Sequence, residues 1–248
     1  GGAVRRIPAG KTDETGLELG DTDVIASDYP GGVNGVEVAD GTVYTAVNGD
    51  ESGGVFEVET EGDDGPSELA TISPGGDGFV NDILADGDRL LVTESFGGVV
   101  YEVDRDGGDT SQWVQDDLLD TASFGANGIT RIDDEVYVAV SFASDDEGNQ
   151  IGRIVRVPVE SDGSAGTPET HLEGPEITGV DGLTARGPIL YAALNVQNRI
   201  ARVTPSKKSK TVDEGDPLRF PSDVVFDPTT PGKVFVCNFP QTEQGAND

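Results

Sequence analysis

Short runs of alternating apolar and polar residues recur along the chain, each bounded by Gly, Asp or Pro. A period of two marks strands that turn one face to a core. The run VNGVEVADGTVYTAV begins at Val33, VNDILADGDRLLVTE at Val80, ANGITRIDDEVYVAV at Ala126 and VDGLTARGPILYAAL at Val180. A looser copy, PSDVVFDPTTPGKVFVCNF, begins at Pro221. The register is tight: nine positions separate Asn34 from Val43, Asn81 from Leu90, Asn127 from Val136 and Asp181 from Leu190. Counted from Asn34, Asn81, Asn127, Asp181 and Ser222, the copies start 47, 46, 54 and 41 residues apart. Each reads as strand, Gly/Asp turn, strand, loop, strand. The third strand recurs as GGVFEV, GGVVYEV, GRIVRV and RIARV, and a weaker fourth follows as SELATI, SQWVQ and THLEG. Four short strands in about 45 residues predict the blade of a β-propeller. The expectation is an all-β chain forming one β-propeller domain over residues 1–248.

Five blades are countable. The opening GGAVRRIP matches the third-strand motif, and the chain closes after a first and second strand at residues 222–239. The terminal strands are therefore expected to close one blade between them, which removes an open sheet edge. A six-bladed ring is the rival, and residues 11–30 are the only stretch that could hide another blade.

Composition narrows the functional classes. With 47 acidic residues against 16 basic, the formal net charge is −31. Nucleic acid and anionic membrane surfaces are excluded as partners by like-charge repulsion. Concentrated salt would quench this self-repulsion, so a halophilic, high-salt environment is expected, extracellular or cytoplasmic. The single Cys237 excludes an intrachain disulfide and reads as a buried thiol in KVFVCNF. The single His171 leaves no partner for Cys–His catalysis or a His/Cys zinc site. No run reaches the length of a membrane span. With no Met and no visible leader, the chain is expected to be a processed, trimmed or rearranged product.

The repeat gives the polar residues at strand starts a shared meaning. First strands of successive blades line the centre of a propeller, so Asn34, Asn81, Asn127, Asp181 and Ser222 would face one funnel. Second strands return to the same end with Asn48, Glu94, Ser141, Asn195 and Asn238 as a wider polar tier. Oxygen donors without His or Cys suit a hard cation, Ca2+ before Mg2+. The alternative is that each Asn or Asp only bonds its own turn backbone. Asp181 distinguishes the two, because a turn does not require a charge at one sector whereas a cation site does.

At these residues the chain resembles the senescence-marker-protein/gluconolactonase family, whose relatives include diisopropylfluorophosphatase. The matching motifs are FVNDILADG (79–87), ANGITRIDDEVYVA (126–139) and VDGLTARGPILYAA (180–193), in the family's order of ND, NG and DG. The resemblance covers residues 33–239 and implies a six-bladed propeller with an axial divalent cation, usually calcium. It implies Asn127 and Asp181 as metal ligands, Asn81 beside the metal as ligand or substrate contact, and Asp82 as an orienting group. The family's Glu ligand, in an EGP-like motif entering the first blade, has no counterpart here; Asn34 stands at the first recognisable inner strand.

Two functions follow. The first is a calcium-dependent hydrolase of lactones or related esters, with Asp181 as catalytic residue, Asn34, Asn81, Asn127 and Asp181 as metal ligands, and Asn81, Glu94 and Asn195 as substrate contacts. The second is a non-catalytic propeller that binds a ligand or partner, with a structural or vestigial cation site. Under the first reading the partner is a small-molecule substrate, and the chain is expected to be a monomer. The charge balance generates a separate prediction: thermal unfolding followed by circular dichroism gives a midpoint that rises by several degrees from dilute buffer to molar salt. A midpoint that stays constant or falls contradicts the halophilic reading.

Overall fold

The recurring alternation becomes antiparallel sheets in the computed structural model, which describes residues 2–50, 52–60, 65–74 and 78–239. The first copy folds into β3 (Gly31–Ala39), β4 (Thr42–Gly49), β5 (Ser52–Glu59) and β6 (Ser67–Pro74), after β1 (Val4–Arg6) and β2 (Asp23–Ala26). The second gives β7 (Val80–Asp86), β8 (Arg89–Glu94), β9 (Val99–Asp104) and β10 (Thr110–Gln115). The third gives β11 (Ala126–Ile132), β12 (Glu135–Ser144), β13 (Gln150–Pro158) and β14 (Glu169–Gly174). The fourth gives β15 (Val180–Arg186), β16 (Ile189–Leu194), β17 (Arg199–Val203) and β18 (Ser209–Glu214), and the last copy β19 (Pro221–Phe226) and β20 (Val234–Asn238). Helical structure among the described residues is confined to four short 3-10 turns, none long enough to cross a membrane.

The fold is a β-propeller. Among the described residues it has four blades of four strands paired in chain order, and two further sheets of two strands each, β1–β2 and β19–β20. The sequence predicts that these terminal strands share one blade; they form two separate sheets instead. Residues 11–30 hide no further blade: they hold one short strand, β2, and 3-10 turns.

The chain divides into two compact units, one of Gly1–Val92 with Tyr101–Ser111, the other of Thr93–Val100 with Gln112–Asp248. In the first unit the core lies between sheets. Tyr44, Ala46, Val55, Val80, Leu90 and Val92 form one cluster, and Val4, Ala26, Tyr29, Val43, Val47 and Val58 another. Alternate residues of β4 thus face opposite clusters, as the pleat requires. In the second unit Ile154, Ile177, Val180, Leu190, Leu194 and Val203 join the third and fourth blades, and Ala193, Ile200, Leu218 and Val224 join the fourth to β19. His171 is buried edge-on against Tyr137, with ring centroids 5.1 Å apart, and burial lowers its pKa, so it acts as a packing residue. Trp113 bridges sheets as well, its Nε1 donating to Gly163 O at 3.0 Å. Cys237 is exposed rather than buried, because among the described residues β20 has no third strand beside it.

The scarce cations tie neighbouring strands. Arg156 on β13 pairs with Glu135 at 2.6 Å and Glu169 at 2.5 Å, and in the first unit Arg105 reaches Asp40 at 3.0 Å. Exposed pairs of this kind contribute about 0–1 kcal/mol each, so the sheets rest on their apolar clusters.

The motif residues lie in β-bulges. Between β11 and β12, Ala126 pairs with Val140 and Ile129 with Val138, so Asn127 and Gly128 together oppose Ala139. Asp181 and Gly182 oppose Ala193 in the same way, and Asn34 and Gly35 oppose Ala46. A bulge bends the strand start and re-aims its side chains. The glycine is required because the next first strand presses on it. A Cβ on Gly128 would fall 2.2 Å from Asp181 O, and one on Gly182 would fall 2.7 Å from Ser222 O. Gly128→Ala and Gly182→Ala are each expected to destabilise the protein by about 1–3 kcal/mol in urea unfolding. Gly10→Ala, which meets no atom within 4 Å, should stay within about 0.5 kcal/mol of wild type. Equal effects at all three positions would contradict the close strand contact.

Candidate functional site

The bulges of the second unit bring three starts together. Asn127 is buried, and its Nδ2 donates to Ser141 Oγ at 2.8 Å. Ser141 Oγ in turn donates to Val180 O at 2.8 Å, which fixes the start of β15 one residue before Asp181. Asn195, also buried, donates its Nδ2 to Asp181 Oδ2 at 3.0 Å and accepts Val196 N at 2.5 Å on its Oδ1. Asn195 thus hydrogen-bonds the Asp181 carboxylate directly, and Asn127 lies close enough to help hold its charge.

A second carboxylate stands beside Asp181. In the last copy the register differs: Pro221 pairs with Asn238 and Asp223 with Cys237, so Ser222 alone is extra. Asp223 thereby occupies the place that Gly128 and Gly182 hold in the copies before it. Its Oδ1 lies 2.3 Å from where a Cβ on Gly182 would be, and accepts Val224 N at 2.7 Å. The residue as a whole keeps exposed surface, but its carboxylate is crowded against the neighbouring backbone.

The electrostatics follow from that crowding. Burial pushes Asp181 up to about 7; hydrogen bonds from Asn195 and Asn127 oppose the shift and the Asp223 charge adds to it. Desolvation raises Asp223 as well, against the pull of the Val224 amide. No cationic side chain is among the groups that act on either carboxylate. Two neighbouring carboxylates without a counter-charge form an arrangement that a bound cation would relieve.

The other expected residues stand as follows. Asn34 and Asn81 belong to the first unit. Asn34 Nδ2 donates to Val80 O at 3.2 Å, and Asn48 clamps the same residue from both sides, donating to Val80 O at 2.7 Å and accepting Val80 N at 2.9 Å. Asn81 is half-buried on β7, next to Asp82, whose Oδ1 accepts Ile83 N at 2.9 Å. Glu94 braces its own turn, its two oxygens accepting Phe96 N at 2.8 Å and Gly97 N at 2.7 Å. The position equivalent to Asn48, Ser141 and Asn195 is held by Ser95, whose Oγ donates to Ala126 O at 2.6 Å. The structure thus gathers Asn127, Asp181 and Asn195 in one site and adds Asp223 and Ser141. Asp223 was overlooked because Ser222 occupies the aligned polar position; the signal was a carboxylate where the neighbouring copies carry Gly.

A cleft of about 360 Å³ in the first unit is lined by Asp86, Arg89, Glu102, Asp104 and Asp109 among others. Arg89 is ion-paired there with Asp86 at 2.8 Å and with Glu102. None of these residues is at an aligned polar position at the start of a first strand or the end of a second. Among the described residues no cluster of three or more His, Cys, Asp or Glu is arranged to hold a metal. A cation at Asp181 and Asp223 would therefore draw its remaining donors from amide, hydroxyl or water oxygens, which calcium accepts.

No protein-family model matches the chain, and no curated protein matches it closely enough to count as a relative. Solved structures do. A chain of the nidogen/laminin complex is 16% identical with a TM-score of 0.69, covering 95% of this chain and 82% of its own. A gluconolactonase from Xanthomonas campestris is 14% identical with a TM-score of 0.65, covering 88% and 72%. Virginiamycin B lyase from Staphylococcus aureus is 14% identical with a TM-score of 0.51, covering 81% and 76%. At these identities the likeness is one of fold: the chain is a β-propeller similar to lactonase, lyase and matrix-protein propellers alike.

Proposed function

We propose that the protein is a divalent-cation-dependent hydrolase of lactones or related esters, centred on Asp181. The observation that carries this reading is the pair of neighbouring carboxylates, Asp181 and Asp223, with no cationic side chain among the described residues acting on them. The donor set is hard: two carboxylates, with Asn127 and Ser141 beside them. It fits calcium better than magnesium, because calcium tolerates irregular shells of about six to eight oxygens. Asp181, Asp223 and the Asn127 amide oxygen would hold the ion, which would supply Lewis-acid polarisation of the substrate carbonyl.

The chain's own residues do the rest. Asn195 and Asn127 orient the Asp181 carboxylate. That carboxylate accepts a proton from water as the water oxygen bonds to the acyl carbon. The proton then passes to the ring oxygen as the C–O bond breaks, giving the hydroxy acid.

Calorimetry in high salt should show calcium binding to the wild type, weakened at least about 10-fold in Asp181→Asn, and hydrolysis of a lactone and phosphotriester panel with calcium should fall about 100-fold or more in that variant. No binding at millimolar calcium contradicts the reading. Binding without turnover of any substrate reduces the protein to a calcium-binding module.

The pH dependence of stability has a definite sign. Both carboxyls keep their protons to higher pH in the folded chain than in the unfolded one. The folded state therefore binds more protons between about 4 and about 7, and the pair's contribution to stability falls as pH rises through that window. In cation-free buffer, urea unfolding should give a wild-type curve that declines more steeply there than that of Asp181→Asn, and calcium should flatten it. Parallel curves for the two proteins contradict the crowded pair.

A further inference from the structure

We infer that the mouth of the second unit selects a substrate with an apolar substituent, an alkyl- or aryl-bearing lactone or ester, through an exposed hydrophobic rim formed by Phe96, Phe142, Val196 and Phe239. The inference rests on the hydrolase reading for the bond that is cleaved, but the rim itself is a separate observation.

The repeat builds the rim. At or near the end of four second strands a polar residue is followed directly by a large apolar one: Ser95–Phe96, Ser141–Phe142, Asn195–Val196 and Asn238–Phe239. Three polar members turn inward. Ser95 reaches Ala126 O at 2.6 Å, Ser141 reaches Val180 O at 2.8 Å, and Asn195 reaches Asp181 Oδ2 at 3.0 Å. Each contact lies at, or one residue from, Asn127 or Asp181. The apolar members stay outside: Phe96 is 47% exposed, Val196 49% and Phe239 47%, with Phe142 half-buried.

Their backbones are held. Phe96 N donates to Glu94 Oε1 at 2.8 Å, Val196 N to Asn195 Oδ1 at 2.5 Å and Phe239 N to Phe220 O at 2.9 Å. The Phe96 ring leans on Phe124, three residues before Asn127, with centroids 5.3 Å apart. Antiparallel pairing sets the start of each first strand opposite the end of its second strand, so the rim and the carboxylate pair share one end of these sheets.

Phe96 packs on Phe124 yet leaves about half its surface to solvent. Among the described residues, Phe96 and Phe239 are the exposed phenylalanines, and both stand at this end. Exposed apolar surface continuous with a polar pocket marks a place where a ligand's apolar body is covered. A polyhydroxylated sugar lactone would leave its hydroxyls facing these rings without partners.

The test compares δ-valerolactone, δ-octalactone, δ-decalactone and glucono-δ-lactone on the full chain with calcium. The expected result is kcat/KM rising about twofold per methylene, against about fourfold for complete burial, with glucono-δ-lactone the poorest. Phe96→Ser and Phe239→Ser should flatten the length dependence, whereas Val212→Ser, an exposed residue on β18, should leave it intact. A preference for the sugar lactone, or a length dependence indifferent to the Phe variants, overturns the inference. Calorimetry with 2-alkylcyclopentanones, which cannot be hydrolysed, separates it from the hydrolase reading. If no lactone is cleaved but these ketones bind more tightly with chain length and less tightly to Phe96→Ser, the rim stands and the hydrolase fails. If the ketones show no length-dependent binding, the rim fails whatever the activity.

Discussion

The second unit is organised by one contact: each first strand, bulged at its start, lies backbone against side on the next. Gly128 accepts the Asp181 carbonyl where a side chain would sit, and Gly182 does the same for Ser222 and Asp223. Because the strands approach so closely, the polar residues just before these glycines are neighbours in space although 54 and 41 residues separate their copies in sequence. The bulges also free those side chains from the sheet's alternation and turn them toward one another. Ser95, Ser141 and Asn195 then reach across from second strands and hold the arrangement in place.

That geometry has an electrostatic consequence. The chain carries a net charge of −31, and Arg156 is engaged by acids on the adjacent strands, Glu135 and Glu169. The Asp181 and Asp223 pair lies among amides and backbone instead, and both carboxyls are raised. A folded chain that holds two acids together without a neutralising group stores a demand for positive charge. A cation held by Asp181 and Asp223 would meet that demand.

Much of this was legible in the sequence. The period of the copies gives the blades, and the aligned starts place Asn127 and Asp181 at equivalent positions of successive copies. What was not legible depended on single-residue register. Alignment puts Glu94 in the inward tier, but β8 ends at Glu94 and the next residue, Ser95, holds that position, leaving Glu94 to cap its turn. Asp223 is hidden because Ser222 fills the aligned polar position and the carboxylate stands one residue later, where Gly128 and Gly182 stand in the two copies before it. The shared terminal blade did not appear, since matching motifs at both ends of a chain say which strands are alike and not which edges pair. Cys237 read as buried because its run is apolar, yet burial on a strand depends on whether a third strand lies beside it.

The central claim is that Asp181 and Asp223 form one crowded, uncompensated pair, and carboxyl-carbon NMR titration tests it most directly. In cation-free buffer Asp181 should titrate near 7, with Asp223 also above the usual carboxylate range. Asp223→Asn should then lower the Asp181 midpoint. Two carboxyls that titrate independently near the ordinary value of about 4 would contradict the account.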